Sequence, residues 1–186
     1  MINIFNPVIS KVDPKLQEKT ITENGEYVAD EGYDGLSKVT VDVASKLPSV
    51  IGKAVTELTA SDFGDITTIG EYALYSCGGL LTVEMPDGIT RIEKMAFGVC
   101  NSLNIVKFGS GLTSIANQAF AGSTSILYYD FRKATSVPKL DSVGSISTTT
   151  ATKIIVPDDL YATWIASTNW SFYTSDRYVK ASEVTT

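Results

Sequence analysis

The chain has no histidine among its 186 residues and two cysteines, Cys77 and Cys100. Without an imidazole there is no Ser-His or Cys-His nucleophile pair and no side-chain proton shuttle near neutral pH. Two thiols cannot by themselves close a structural zinc site. Long apolar runs are also missing: none reaches the ~18–20 residues that a membrane span requires. The opening Met1-Ile2-Asn3-Ile4-Phe5 has no basic start and no long apolar core, so a secretory signal is not expected there. Basic residues are outnumbered, with 15 Lys and Arg against 21 Asp and Glu and a net charge of −6. The cations are scattered rather than striped, which argues against a nucleic-acid partner. Neither catalysis, a metal nor a cofactor is expected, and the remaining 44% apolar and 19% charged composition is that of a folded protein.

What the chain does have is repetition. Ile66 to Gly88, Ile89 to Gly111 and Leu112 to Ala134 align with an unbroken 23-residue period. One column holds Ile69, Ile92 and Ile115; others hold Ala73, Ala96 and Ala119, then Leu74, Phe97 and Phe120. Leu80, Leu103 and Ile126 follow, then Val83, Val106 and Tyr129, then Met85, Phe108 and Phe131. A fixed period of ~20–30 residues marks a solenoid, whose coils bury their inner faces only against one another. The expected fold is therefore mainly β with short helices. In each coil, Leu80 to Met85 and its equivalents read as a strand, Thr68-Ile69 as a shorter one, and Tyr72-Ala73-Leu74 as a helical turn. Gly88 and Gly111 mark a turn expected to need positive φ.

The flanks are less regular. Residues 1–17 read as a leader whose Ile2, Ile4, Phe5, Val8 and Ile9 would pack on the chain's own β-domain or serve in anchoring and oligomerisation. Residues 18–43 read as a small β-module, with Asn24-Gly25 as a hairpin turn between Thr20-Ile21-Thr22 and Glu26-Tyr27-Val28. Residues 44–65 are expected to cap the solenoid, residues 66–134 to form three repeats, and residues 135–186 to form a degenerate repeat and C-terminal cap. In that last segment Lys153 to Val156 reads as a strand, and Asp158 or Asp159 as the cap of a helix carrying Leu160, Trp164 and Ile165.

Three groups invite a functional reading. Cys77 and Cys100 share a column with Ser123, and are read as buried free thiols, with a disulfide between adjacent coils as the alternative. Asp30, Glu31 and Asp34 could suggest calcium, but follow no ligand spacing and fit an acidic turn. Glu84, Lys107 and Asp130 form a minus-plus-minus column, consistent with cross-strand pairing or with contact to a ligand. Thr82, Ile105 and Tyr128 should lie exposed beside it, and the six together form the candidate recognition surface.

The coil pattern, carried by Ile89, Ile92, Ala96, Phe97, Cys100, Leu103, Val106 and Phe108, resembles the BspA-like leucine-rich repeats. The ending from Ile155-Val156-Pro157 through Trp164 to Trp170 and Tyr173 is similar to that family's closing segment. Such repeats imply a non-enzymatic module that binds host or cell-surface partners. Lys19 to Tyr27, Gly32-Tyr33-Asp34-Gly35-Leu36 and Val39-Thr40-Val41 resemble a short module of tail and other structural proteins of phages of Firmicutes. That second resemblance implies a virion fibre protein, released by host lysis, a homo-oligomer with a trimer as the expected state. Its partners would be other virion proteins and a bacterial surface protein or glycan. The alternative it leaves is a bacterial cell-surface adhesion module.

Overall fold

The computed structural model describes residues 56–184 in full and, before them, the backbones of β1 (Gly25–Tyr27), β2 (Leu36–Val41) and β3 (Pro48–Gly52). These three pair antiparallel in the order β1-β2-β3. Gly25 is a strand residue facing Val41, and Asn24, the other half of the expected turn, lies outside the described residues. Pro48–Gly52 pairs with β2, which moves Val50 and Ile51 from the expected solenoid cap into this sheet. The β-branched Val50-Ile51 pair favours a pleated strand, and β2 offers it a free edge. The first arm of the expected hairpin, at 20–22, lies outside the described residues.

The remainder is built from paired short strands: β4 (Glu57–Leu58), β5 (Thr68–Ile69), β6 (Thr82–Glu84), β7 (Arg91–Ile92), β8 (Ile105–Lys107), β9 (Ser114–Ile115), β10 (Tyr128–Asp130), β11 (Lys139–Leu140), β12 (Lys153–Val156) and β13 (Tyr178–Lys180). From β4 to β12 successive strands alternate between two sheets, and β13 joins the sheet of β12. One has six strands in the order β13-β12-β10-β8-β6-β4, the other four in the order β11-β9-β7-β5. Every pair within these two sheets is parallel. Thr82 lies beside Ile105 and Ile105 beside Tyr128, so equivalent residues of successive coils become lateral neighbours. After β10 the offset grows: Lys139 pairs with Ser114 and Lys153 with Tyr128. The irregular residues after Ala134 thus complete another coil at a longer spacing.

The apolar columns converge between the sheets. Ile69, Ile92 and Ile115 are fully buried, as are Val83, Val106 and Tyr129. Phe97 stacks on Phe120 at 5.0 Å and Phe108 on Phe131 at 4.0 Å. Phe131 then touches Trp164 and Trp170, extending the aromatic stack into the C-terminal segment. There the helix α1 (Tyr161–Ala166) buries Trp164, but no side chain caps it. Asp158 instead accepts hydrogen bonds from the backbone N–H and hydroxyl of Ser182, which removes it from the capping role expected of it.

The residues at 71–76, 94–99 and 117–122 differ from the helical turn expected of them. Each run is a set of hydrogen-bonded turns with two left-handed residues: Tyr72 and Ser76, Met95 and Val99, Gln118 and Gly122. The cause lies between coils. Tyr72, Leu74 and Ser76 donate their N–H groups to Lys94, Ala96 and Gly98 carbonyls at 2.7–3.2 Å, and Met95, Phe97 and Val99 repeat this one coil on. A helical turn would direct those donors along its own axis. Left-handed residues turn them toward the next coil, satisfying backbone groups that burial would otherwise orphan. Gly88 and Gly111 are not among the positive-φ residues. At Gly111 the demand is steric, because an added Cβ would meet the Asp87 carbonyl oxygen at 2.2 Å.

Candidate recognition surface

Parallel strands one coil apart place equivalent side chains in rows across the six-stranded sheet. Val83, Val106 and Tyr129 point inward, so their neighbours point outward. The first outward row is Thr82, Ile105 and Tyr128; the second is Glu84, Lys107 and Asp130. The structure therefore brings all six predicted residues onto one face. Their exposure differs from expectation. Tyr128 is 42% exposed, whereas Thr82 and Ile105 are half-buried.

The charged row also departs from a simple ladder. Lys107 Nζ lies 3.6 Å from Glu84, as cross-strand pairing requires. Asp130 is buried, 6% exposed, and pairs with Arg132 two residues further on. The Arg132 Nε donates to both Asp130 oxygens at 3.0 and 2.8 Å, and its backbone N–H donates to Oδ1 at 3.0 Å. Lys133 Nζ reaches back to Glu84 at 3.3 Å. The resulting pocket, of 290 Å³, is lined by Glu84, Lys107, Phe108, Asp130, Arg132 and Lys133. Arg132 and Lys133 were not singled out from the sequence. Their signal was present: they replace the Gly109-Ser110 of the preceding coil with two adjacent cations. Leu81 and Leu127, 43% and 41% exposed, add apolar surface beside the first row.

The sulfur column is internal and saturated. Both cysteines are free and buried. Cys100 Sγ–H donates to the Leu74 carbonyl at 3.1 Å. A hydrogen bond to Cys100, reinforced by burial, holds the Cys77 thiol well above its ordinary value, so it carries no reactive thiolate near neutral pH. Among the described residues no group of His, Cys, Asp or Glu is placed to hold a metal. The acidic turn at Asp30, Glu31 and Asp34 lies outside them, as do Ile2, Ile4, Phe5, Val8 and Ile9. No helix among the described residues is long and apolar enough to cross a membrane.

Two all-parallel sheets joined by short turns define the class as a solenoid of stacked β-coils. The chain belongs to the BspA-type leucine-rich repeat family: the family described as "BspA type Leucine rich repeat region (6 copies)" matches residues 52–161. Among solved structures, a leucine-rich repeat protein from Bacteroides capillosus is similar at 21% identity and a TM-score of 0.45, over 67% of this chain and 96% of that one. No curated protein sequence matches the chain significantly.

Proposed function

We propose that the protein is a non-enzymatic binding module of the adhesion type. It engages a protein or glycan of a cell surface through the outward face of its six-stranded sheet. The observation that carries this reading is the organisation of that face. Apolar and aromatic residues, Leu81, Ile105, Leu127 and Tyr128, lie beside a charged row that lines a pocket. Exposed aromatic anchors next to fixed charges are what interfaces use. Family membership supports it, since such repeats are often found in cell-surface proteins. On this reading residues 66–134 are three 23-residue coils that present the face, and the segments on either side cap them.

The fibre reading, in which the N-terminal part docks on a virion or trimerises, rests on the resemblance of residues 19–41 alone. It shares the recognition face and differs only in what holds the other end. The test is saturable binding of the labelled full chain to intact bacterial cells, before and after protease treatment and before and after periodate oxidation of glycans. Loss after one treatment supports the reading and identifies the chemical class of the partner. Binding that never saturates on any cell type overturns it.

A further inference from the structure

We propose that the pocket lined by the charged row binds a sugar acid, a ring carrying one carboxylate and several hydroxyls. The proposal rests on the binding reading above and names the ligand class for one part of that face.

The pocket is built around a pre-oriented arginine. Asp130 engages the Nε and the backbone N–H of Arg132, and the carboxylate is itself buried. Among the described residues, the two terminal NH₂ groups of Arg132 have no hydrogen-bond partner. They are left as a planar fork matched to a carboxylate, while the Nε edge fixes the guanidinium plane. Across the pocket, Lys107 and Lys133 converge on Glu84 at 3.6 and 3.3 Å. Three cations and two carboxylates leave a surplus of one positive charge (3 − 2 = 1) among the lining residues.

That balance selects the ligand. One negative charge is accommodated, while a polyphosphate would meet Glu84 and Asp130 with repulsion it cannot offset. The ammonium groups donate and the free Glu84 lone pairs accept, so hydroxyls on either side of a ring find partners. A volume of 290 Å³ is at the small end of ligand sites and holds one ring rather than a folded peptide segment. The other coils lack this constellation, because the positions of Arg132 and Lys133 hold Pro86-Asp87 and Gly109-Ser110 there.

The test is titration of the full ¹⁵N-labelled chain with sodium glucuronate, read from backbone amide shifts, with glucose, acetate and inorganic phosphate as separate probes. Saturable shifts at Lys107, Asp130, Arg132 and Lys133 are expected, with glucuronate binding at least ten-fold more tightly than glucose or acetate. Lys133→Gln, which leaves the Asp130–Arg132 pair intact, should weaken glucuronate several-fold. Arg132→Lys should weaken it ten-fold or more if the fork is what binds. Equal binding of glucose overturns the carboxylate requirement, and equal binding of acetate or phosphate reduces the site to a simple anion hole. Unchanged binding in both variants also overturns the proposal. A galacturonate oligomer that binds more tightly than glucuronate places the ligand within a polysaccharide; equal affinity assigns the free acid. Saturable cell binding without any glucuronate response sinks this inference and leaves the broader reading standing.

Discussion

Ser123 closes a hydrogen-bond circuit around Cys100: its hydroxyl accepts from the Cys100 N–H at 2.8 Å and donates to the Phe97 carbonyl at 2.6 Å. One coil earlier the Cys100 thiol makes the corresponding contact to the Leu74 carbonyl. Ser123 and Cys100 thus form a buried polar seam in which each side chain reaches back to the preceding coil. The residue type is interchangeable provided it donates.

The seam makes a graded prediction. Ser123→Ala leaves a buried N–H and a buried carbonyl unpaired, and should cost ~1–3 kcal/mol in urea unfolding. Cys100→Ser keeps the donor and should change stability by less than ~1 kcal/mol. Equal loss in the two variants would show that packing, rather than hydrogen bonding, holds the column.

Gly88 and Gly111 occupy one column of the repeat but not one environment. A Cβ at Gly111 would lie 2.2 Å from the Asp87 carbonyl oxygen, whereas at Gly88 the nearest atom is 3.8 Å away. Gly111→Ala should therefore destabilise by ~1–3 kcal/mol through overpacking. Gly88→Ala should be neutral or stabilise by ~0.4–1 kcal/mol, because it restricts the unfolded chain without a clash. The paired shifts in denaturation midpoint check both.

This pair also shows where sequence reading stops. The glycine column was visible, but the backbone approach that makes one glycine obligatory is a property of neighbouring coils. The apolar columns were legible because burial repeats with the coil: Ile92 must resemble Ile69 and Ile115. The left-handed positions were not, since Tyr72, Met95, Gln118, Ser76 and Val99 share no side-chain preference for positive φ. Only the hydrogen bonds between coils demand that conformation. Likewise Glu84, Lys107 and Asp130 could be placed in one row from the period. That Asp130 would turn to Arg132, and Lys133 return to Glu84, depends on the path of the turn.

The absence of histidine carries into pH dependence. With 0 histidines, stability should be nearly flat between about pH 5 and pH 8, above which the unfolded chain ionises its thiols while the buried Cys77 stays protonated. Above that range it should fall. Burial pushes the phenols of Tyr129 and Tyr178 well up and that of Tyr173 up to about 12. These groups stay protonated in the folded chain while the unfolded chain ionises from about pH 10, so their stabilisation is complete below that pH and lost as pH rises through it. On the acid side, hydrogen bonds from Ser110 and Ser182 hold Asp87 and Asp158 below their usual range. Their contribution is present above about pH 4 and lost as pH falls below it. Thermal melts across this range should give a plateau with two shoulders, and phenolate absorbance should rise together with alkaline unfolding.

The measurement that tests the account most directly uses two tyrosines of matched exposure. Tyr128 is 42% exposed on the outward face of the six-stranded sheet, and Tyr72 is 45% exposed on a turn outside that face. Binding of the full chain to intact cells would be compared for wild type, Tyr128→Asn and Tyr72→Asn, each shown by circular dichroism to be folded. The account predicts at least a ten-fold loss of affinity for Tyr128→Asn and none for Tyr72→Asn. Equal binding by all three, or loss confined to Tyr72→Asn, would contradict the claim that this face is where the protein recognises its partner.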